Sequence, residues 1–160
     1  DIIHKIKGEF NMSAALSLYD QDFYAWTQEQ ANLLHNRRFS NLAISHLEED
    51  LRIMGASEKR ELGNRLKVLL THLLKWKYQP EYENKKSWQR TIREQRKEIR
   101  LHLKDNPSLK NPETFNERFL DAYDTAIMNA AEETGLDESI FSINCEWTID
   151  QVLDSDFYPN

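Results

Sequence analysis

Between residues 58 and 78 the chain sets Leu62, Leu66, Leu69, Leu70, Leu73 and Trp76 three or four residues apart, and Pro80 follows. An α-helix brings that spacing onto one face; a strand scatters it over two. Similar stripes recur along the chain and almost nothing alternates with period two. The expected class is therefore all-α, a compact bundle of about five helices with a short irregular C-terminal segment. A chain of 160 residues can bury about 70% of its unfolded surface. Four Gly, four Pro and 39% apolar residues exclude collagen-like and largely disordered chains.

The stripes give approximate helix bounds. Asp20 is expected to cap a first helix carrying Phe23, Trp26, Gln30, Leu33 and Leu34. A second, near Asn41 to Met54, carries Leu42, Leu47, Leu51 and Met54 and is expected to stop at Gly55 in a left-handed cap. Ser57 opens the leucine helix, about 58 to 78, and Ser87 caps a fourth, about 88 to 104, with Trp88, Ile92, Ile99 and Leu103 inward. Pro112 sits in the first turn of a fifth, about 112 to 134, which carries Phe115, Phe119, Tyr123, Ile127 and Ala130 and ends at Gly135. Thr148 and Gln151 fit a capping box. Residues 1–11 read as a leader ahead of Met12, and residues 12–160 as a single helical domain.

Charge is segregated. Residues 58–104 hold fourteen Lys and Arg against six Asp and Glu, whereas residues 105–160 hold two against thirteen. Lys85, Lys86, Arg90, Arg93, Arg96, Lys97 and Arg100 gather beside Trp88, which suits a phosphate backbone. The preferred reading is internal neutralisation, with the acidic fifth helix packed antiparallel on the basic fourth through ion pairs at the rim. The net charge of −6 agrees with it, because it repels polyanions at long range.

Motifs for most chemistries are missing: there is no Gly-rich phosphate loop, no GxSxG and no HExxH. The lone Cys145 forms neither an internal disulfide nor a cysteine zinc cage, and a cytoplasmic location is expected. No apolar run approaches the roughly 20 residues of a membrane span. His46, Glu49 and Asp50 stand at helical spacing, but no second such unit completes a two-metal cluster, and neither a metal nor a cofactor is assigned.

Arg65 and His72 are seven residues apart, close to two helical turns. An arginine followed by histidine at this spacing is similar to the motif of the HEPN (higher eukaryotes and prokaryotes nucleotide-binding) ribonucleases, small helical bundles that cut RNA at a dimer interface. That resemblance implies catalytic roles for His72 in proton transfer and Arg65 on the phosphate.

A broader resemblance is carried by Leu18 to Trp26, Glu48-Glu49 ahead of Met54-Gly55, and Ser57 to Leu62. It continues through His72 to Pro80, Ser87-Trp88, Thr91 to Arg96, Pro107-Ser108-Leu109, Phe141 to Cys145, Trp147-Thr148, Leu153-Asp154, Phe157 and Pro159. These blocks resemble the bacterial domain of unknown function 29 family over residues 17 to 159. The resemblance implies a compact helical domain, carries no activity, and draws attention to Lys75, Trp76, Gln79, Trp88, Arg93 and Arg96 as binding residues. The expected function is a protein-interaction module with an unidentified protein partner, the alternative being a metal-independent ribonuclease of toxin type; RNA and a homodimer stay open as partners.

Overall fold

The computed structural model describes residues 17–160, so the leader assigned to residues 1–11 lies outside the described residues. The described chain is all-α, with six helices, three short 3₁₀ turns and no strand. It groups into two compact units, one running to Leu51 and the other Arg52–Asn160.

In the first unit, α1 (Leu18–Gln21) is closed by a Ser17–Asp20 capping box, and α2 (Phe23–His35) is capped by Asp22, whose side chain accepts from the Ala25 N–H at 2.9 Å. Asp20 therefore caps nothing downstream, and the expected start moves to Asp22. Trp26 is buried, with Tyr19 edge-on to it at 4.8 Å. Gln30, the polar member of the stripe, is buried too, and its Oε1 accepts the Ala43 N–H at 2.8 Å, so burial leaves that oxygen satisfied. Phe23 and Leu34 are exposed, against the inward placement expected for them.

The next helix, α3, runs unbroken over Ile44–Tyr78. The two helices expected at 41–54 and 58–78 are one. Among the described residues only Arg37 and Gly135 have positive φ, so Gly55 is an ordinary helical residue. The physical reason is local: Ala56, Glu58, Lys59, Arg60, Glu61 and Leu62 are strong helix formers, and they outweigh the roughly 1 kcal/mol that one interior glycine costs. Leu51 and Met54, expected inward, are 67% and 64% exposed.

The second unit is built around the later part of α3, where Leu62, Leu66, Leu69, Leu70, Leu73 and Leu74 are essentially inaccessible. Ile92, Ile99 and Leu103 from α4 (Lys85–Asp105) join them, with Phe115, Phe119, Ala122, Tyr123, Ala126 and Ala130 from α5 (Pro112–Thr134). Helix α4 starts two residues before Ser87, after Asn84, with no side-chain cap. Helix α5 behaves as the sequence indicates: Asn111 caps it, Pro112 occupies its first position, and Gly135 at φ 72° returns its N–H to the Ala131 carbonyl at 2.9 Å. The capping box of Thr148 and Gln151 opens α6 (Ile149–Leu153), which brings Val152 into the core. None of the described helices is long and apolar enough to cross a membrane.

Candidate interaction surface

Helix α4 carries two stripes. Trp88, Ile92, Arg96, Ile99 and Leu103 are its buried residues, and Lys86, Arg90, Arg93, Lys97, Arg100 and Lys104 form an exposed line. The cations follow one another by four, three, four, three and four residues, which keeps them within about 40° of a common direction on a 3.6-residue helix. Between this line and the C-terminal residues Ser155, Asp156 and Tyr158 lies an open concavity of about 940 Å³. Six cations line it, against the three carboxylates Glu94, Glu98 and Asp156.

The expected neutralisation of α4 by α5 does not form. Among the described residues, the acidic segment reaches α3 instead: Lys75 pairs with Glu133 at 2.5 Å, and Lys77 pairs with Glu146. Arg118, on α5, takes Glu117 and Asp121 from its own helix. Lys86, Arg90, Arg93 and Lys97 have no ion pair among the described residues, and Arg100 donates to the Ser155 hydroxyl at 3.2 Å. The reason is rotational: the core-facing stripe fixes how α4 turns, and its cations lie about 120° round the helix from that stripe, on the solvent side.

Arg96 stands apart from the line. It is 1% exposed and its guanidinium donates to three carbonyls, from Nε to Val152 at 2.8 Å, from Nη1 to Ser155 at 3.4 Å and from Nη2 to Phe157 at 2.7 Å. The Tyr158 ring lies 5.4 Å from its central carbon. Burial lowers its pKa from the ordinary arginine value, and the neighbouring Tyr158, Asp154 and Asp156 act the other way. Its place is as the clamp of the C-terminal segment and the floor of the concavity.

Four more of the residues singled out for binding gather where α3 meets α4. Lys75 lies 4.8 Å from the centre of the Trp88 ring, and Lys85 lies 4.7 Å from that of Trp76. Tyr82 stacks on Trp88 at 4.3 Å, Tyr158 packs on Trp76 at 4.7 Å, and Gln79 donates to the Thr134 carbonyl at 3.4 Å. The sequence placed two tryptophans and several cations at this end of the helix pair, and each ring takes its cation from the other helix. Arg93 alone among the six binding candidates faces solvent.

Arg65 and His72 occupy different surroundings. Arg65 is held by Glu61 at 2.7 Å and Glu98 at 3.7 Å. The half-buried His72 donates from Nδ1 to the Val68 carbonyl at 2.8 Å, which leaves Nε2 as its basic nitrogen. Burial pushes the imidazole pKa below its ordinary value, Lys75 adds to that lowering, and the Val68 hydrogen bond and Glu133 oppose it. In the first unit, the His46 ring lies 4.1 Å from that of Tyr19, whose hydroxyl donates to Asp50 at 3.1 Å. Among the described residues no group of three or more His, Cys, Asp or Glu could hold a metal ion.

The family model described as Domain of unknown function DUF29 matches residues 18–158. The chain belongs to the DUF29 family. Neither the curated proteins nor the solved structures contain a match to it. On this DUF29 chain the sequence showed a basic cluster beside Trp88 that mixed most of the exposed cations of α4 with Lys85 and the buried Arg96; their 4-3-4-3 spacing is what separates the exposed line from the rest. That Ser155, Asp156 and Tyr158 complete the concavity was not visible there, because the Arg96 clamp that brings them has no sequence signature.

Proposed function

We propose that the chain works as an interaction module whose contact face is the exposed line of α4, and that the ligand it holds there is anionic. The observation that carries this reading is the row Lys86, Arg90, Arg93 and Lys97, exposed and without an ion pair among the described residues. Exposed cations on one helix face add little to stability in water and repel one another. Their use lies in recognition, where they steer and hold an opposite charge. The sequence suggested a protein partner first, and such a partner would offer an acidic segment to this face.

The ribonuclease alternative draws no support from the geometry. To serve a phosphate, Arg65 has to exchange both Glu61 and Glu98 for it, whereas the cations of α4 are free to bind without exchange.

The contact face is tested by retention on immobilised heparin, a generic polyanion. The wild type is expected to be retained at low salt. Reversal of Arg90, Arg93 and Lys97 to glutamate should abolish retention, and Lys59→Glu, an exposed cation of α3, should leave it in place. Equal elution of all three proteins refutes the assignment.

A further inference from the structure

We infer that the acidic partner of this face is a second copy of the chain, which lays the outer face of its own α5 along the α4 line. The inference rests on the contact-face reading above and goes further by naming the occupant. What selects it is a second line of charge, on the far side of α5 from Phe115, Phe119 and Ala126. Glu113, Glu117, Asp121, Asp124 and Glu132 are all exposed there, within about 50° of a common direction on a 3.6-residue helix. Glu117 and Asp121 share Arg118 of their own helix, while Glu113, Asp124 and Glu132 have no ion pair among the described residues.

The two lines match in length as well as in sign. From Lys86 to Lys104 the cations span about 27 Å of α4, and from Glu113 to Glu132 the carboxylates span about 29 Å of α5. Laid antiparallel, Lys86, Arg93, Lys97, Arg100 and Lys104 fall opposite Glu132, Asp124, Asp121, Glu117 and Glu113, each pair within about 1.5 Å of register. Arg90 then meets Met128. Laid parallel, all the cations except Arg100 again face a carboxylate, so the match does not depend on the direction of packing.

Within one chain the two lines cannot meet, because the core-facing stripe of each helix turns its line to solvent. Between two chains they can. Exposed apolar side chains accompany both lines: Leu101 is 44% exposed beside the cations, and Leu120 and Met128 are 60% and 59% exposed among the carboxylates. Exposed ion pairs contribute little each, so here they choose the partner and fix register while these side chains add apolar burial. The net charge of −6 on each copy opposes approach from a distance. Beyond the Debye length of about 8 Å at physiological salt it is screened, whereas the facing lines act at contact.

The test is sedimentation velocity over a range of protein concentrations at about 0.1 M and about 1 M salt, where the Debye length falls from about 10 to about 3 Å. The wild type should run heavier than a monomer at the lower salt and as a monomer at the higher. Arg90→Glu with Arg93→Glu and Lys97→Glu should be monomeric at both, and so should Glu117→Lys with Asp124→Lys and Glu132→Lys. Mixed at the lower salt, the two triple variants should associate again, because the first keeps a native α5 and the second a native α4. Lys59→Glu should change nothing. The milder Arg93→Gln with Lys97→Gln should weaken association about tenfold, the worth of two exposed pairs. Thermal melts establish first that each variant folds; where a triple variant does not, the glutamine pair decides.

A wild type that stays monomeric, while heparin still retains it through Arg90, Arg93 and Lys97, overturns the second copy and leaves the contact face standing. Association that survives either triple reversal or the glutamine pair, that the mixture does not restore, or that salt does not weaken overturns the pairing of these two faces. Neither association nor heparin retention removes both readings.

Discussion

Lys75 holds its ammonium 4.8 Å from the centre of the Trp88 ring while donating to Glu133 at 2.5 Å, so one 8%-exposed cation serves a ring on α4 and a carboxylate on α5. A cation taken out of water and given both partners ties three helices through a single atom. Trp88→Ala should cost about 3–5 kcal/mol by opening a cavity. Lys75→Met should cost less, about 1–2 kcal/mol, because it keeps the apolar stem and Glu133 is half exposed and can rehydrate. The double variant, measured by urea denaturation, should show a coupling of about 0.5–2 kcal/mol; strictly additive costs would mean that the ring and the ammonium do not interact.

Arg96→Lys should be nearly as damaging as Arg96→Met. Three carbonyls on the C-terminal segment accept from one planar fork, and a lysine has neither the geometry nor the reach to serve all three. Each variant should lose about 2–4 kcal/mol and show faster proteolysis after residue 150. A lysine variant with wild-type thermal stability would show that the fork is dispensable.

Gly55→Ala should stabilise the protein by about 0.5–1 kcal/mol, because the residue is helical and an added Cβ meets nothing within 4 Å. A left-handed cap at that position would give the opposite sign. Thermal denaturation of the single variant separates the two outcomes.

His72 makes stability depend on pH in one direction. Its folded pKa lies below the unfolded value of about 6.5, so the folded state favours the neutral ring. The contribution is complete above pH about 6.5 and is lost as pH falls from there through the lowered folded value. Wild type should therefore weaken between pH 7 and 5 more than His72→Gln does, as followed by denaturant midpoints at each pH. Parallel curves would place the dependence elsewhere.

Single-stranded RNA incubated with the protein and a chelator should remain intact, since the proposed role is binding. A 2′,3′-cyclic phosphate product that disappears in both His72→Ala and Arg65→Ala would reverse this and establish the ribonuclease alternative. Both variants must first be shown to fold by circular dichroism.

The helices could be read because their rules are local or periodic. Leu62 to Leu73 state a helix face by spacing alone, and Gly135 follows a pattern that ends with the acidic helix. Gly55 obeys the same local rule and fails it, because a glycine ends a helix only when the residues beyond it do not continue one, and these do. Asp20 reads as a cap on paper, but it is taken up in the capping box that Ser17 opens, and Asp22 caps the next helix instead. The charges of α4 were legible as a basic cluster, but not as unpaired, because pairing depends on how α4 is turned against α5. Arg96 was legible as one more cation in a basic stretch and, through the family resemblance, as a binding candidate, but not as a buried clamp. Its burial depends on carbonyls far along the chain.

Those carbonyls lie 56, 59 and 61 residues downstream of the guanidinium that needs them. A chain made from its N-terminus finishes α4 while none of the three exists. Until then Arg96 lacks all three of its acceptors, and the clamp is complete only once Phe157 has been made.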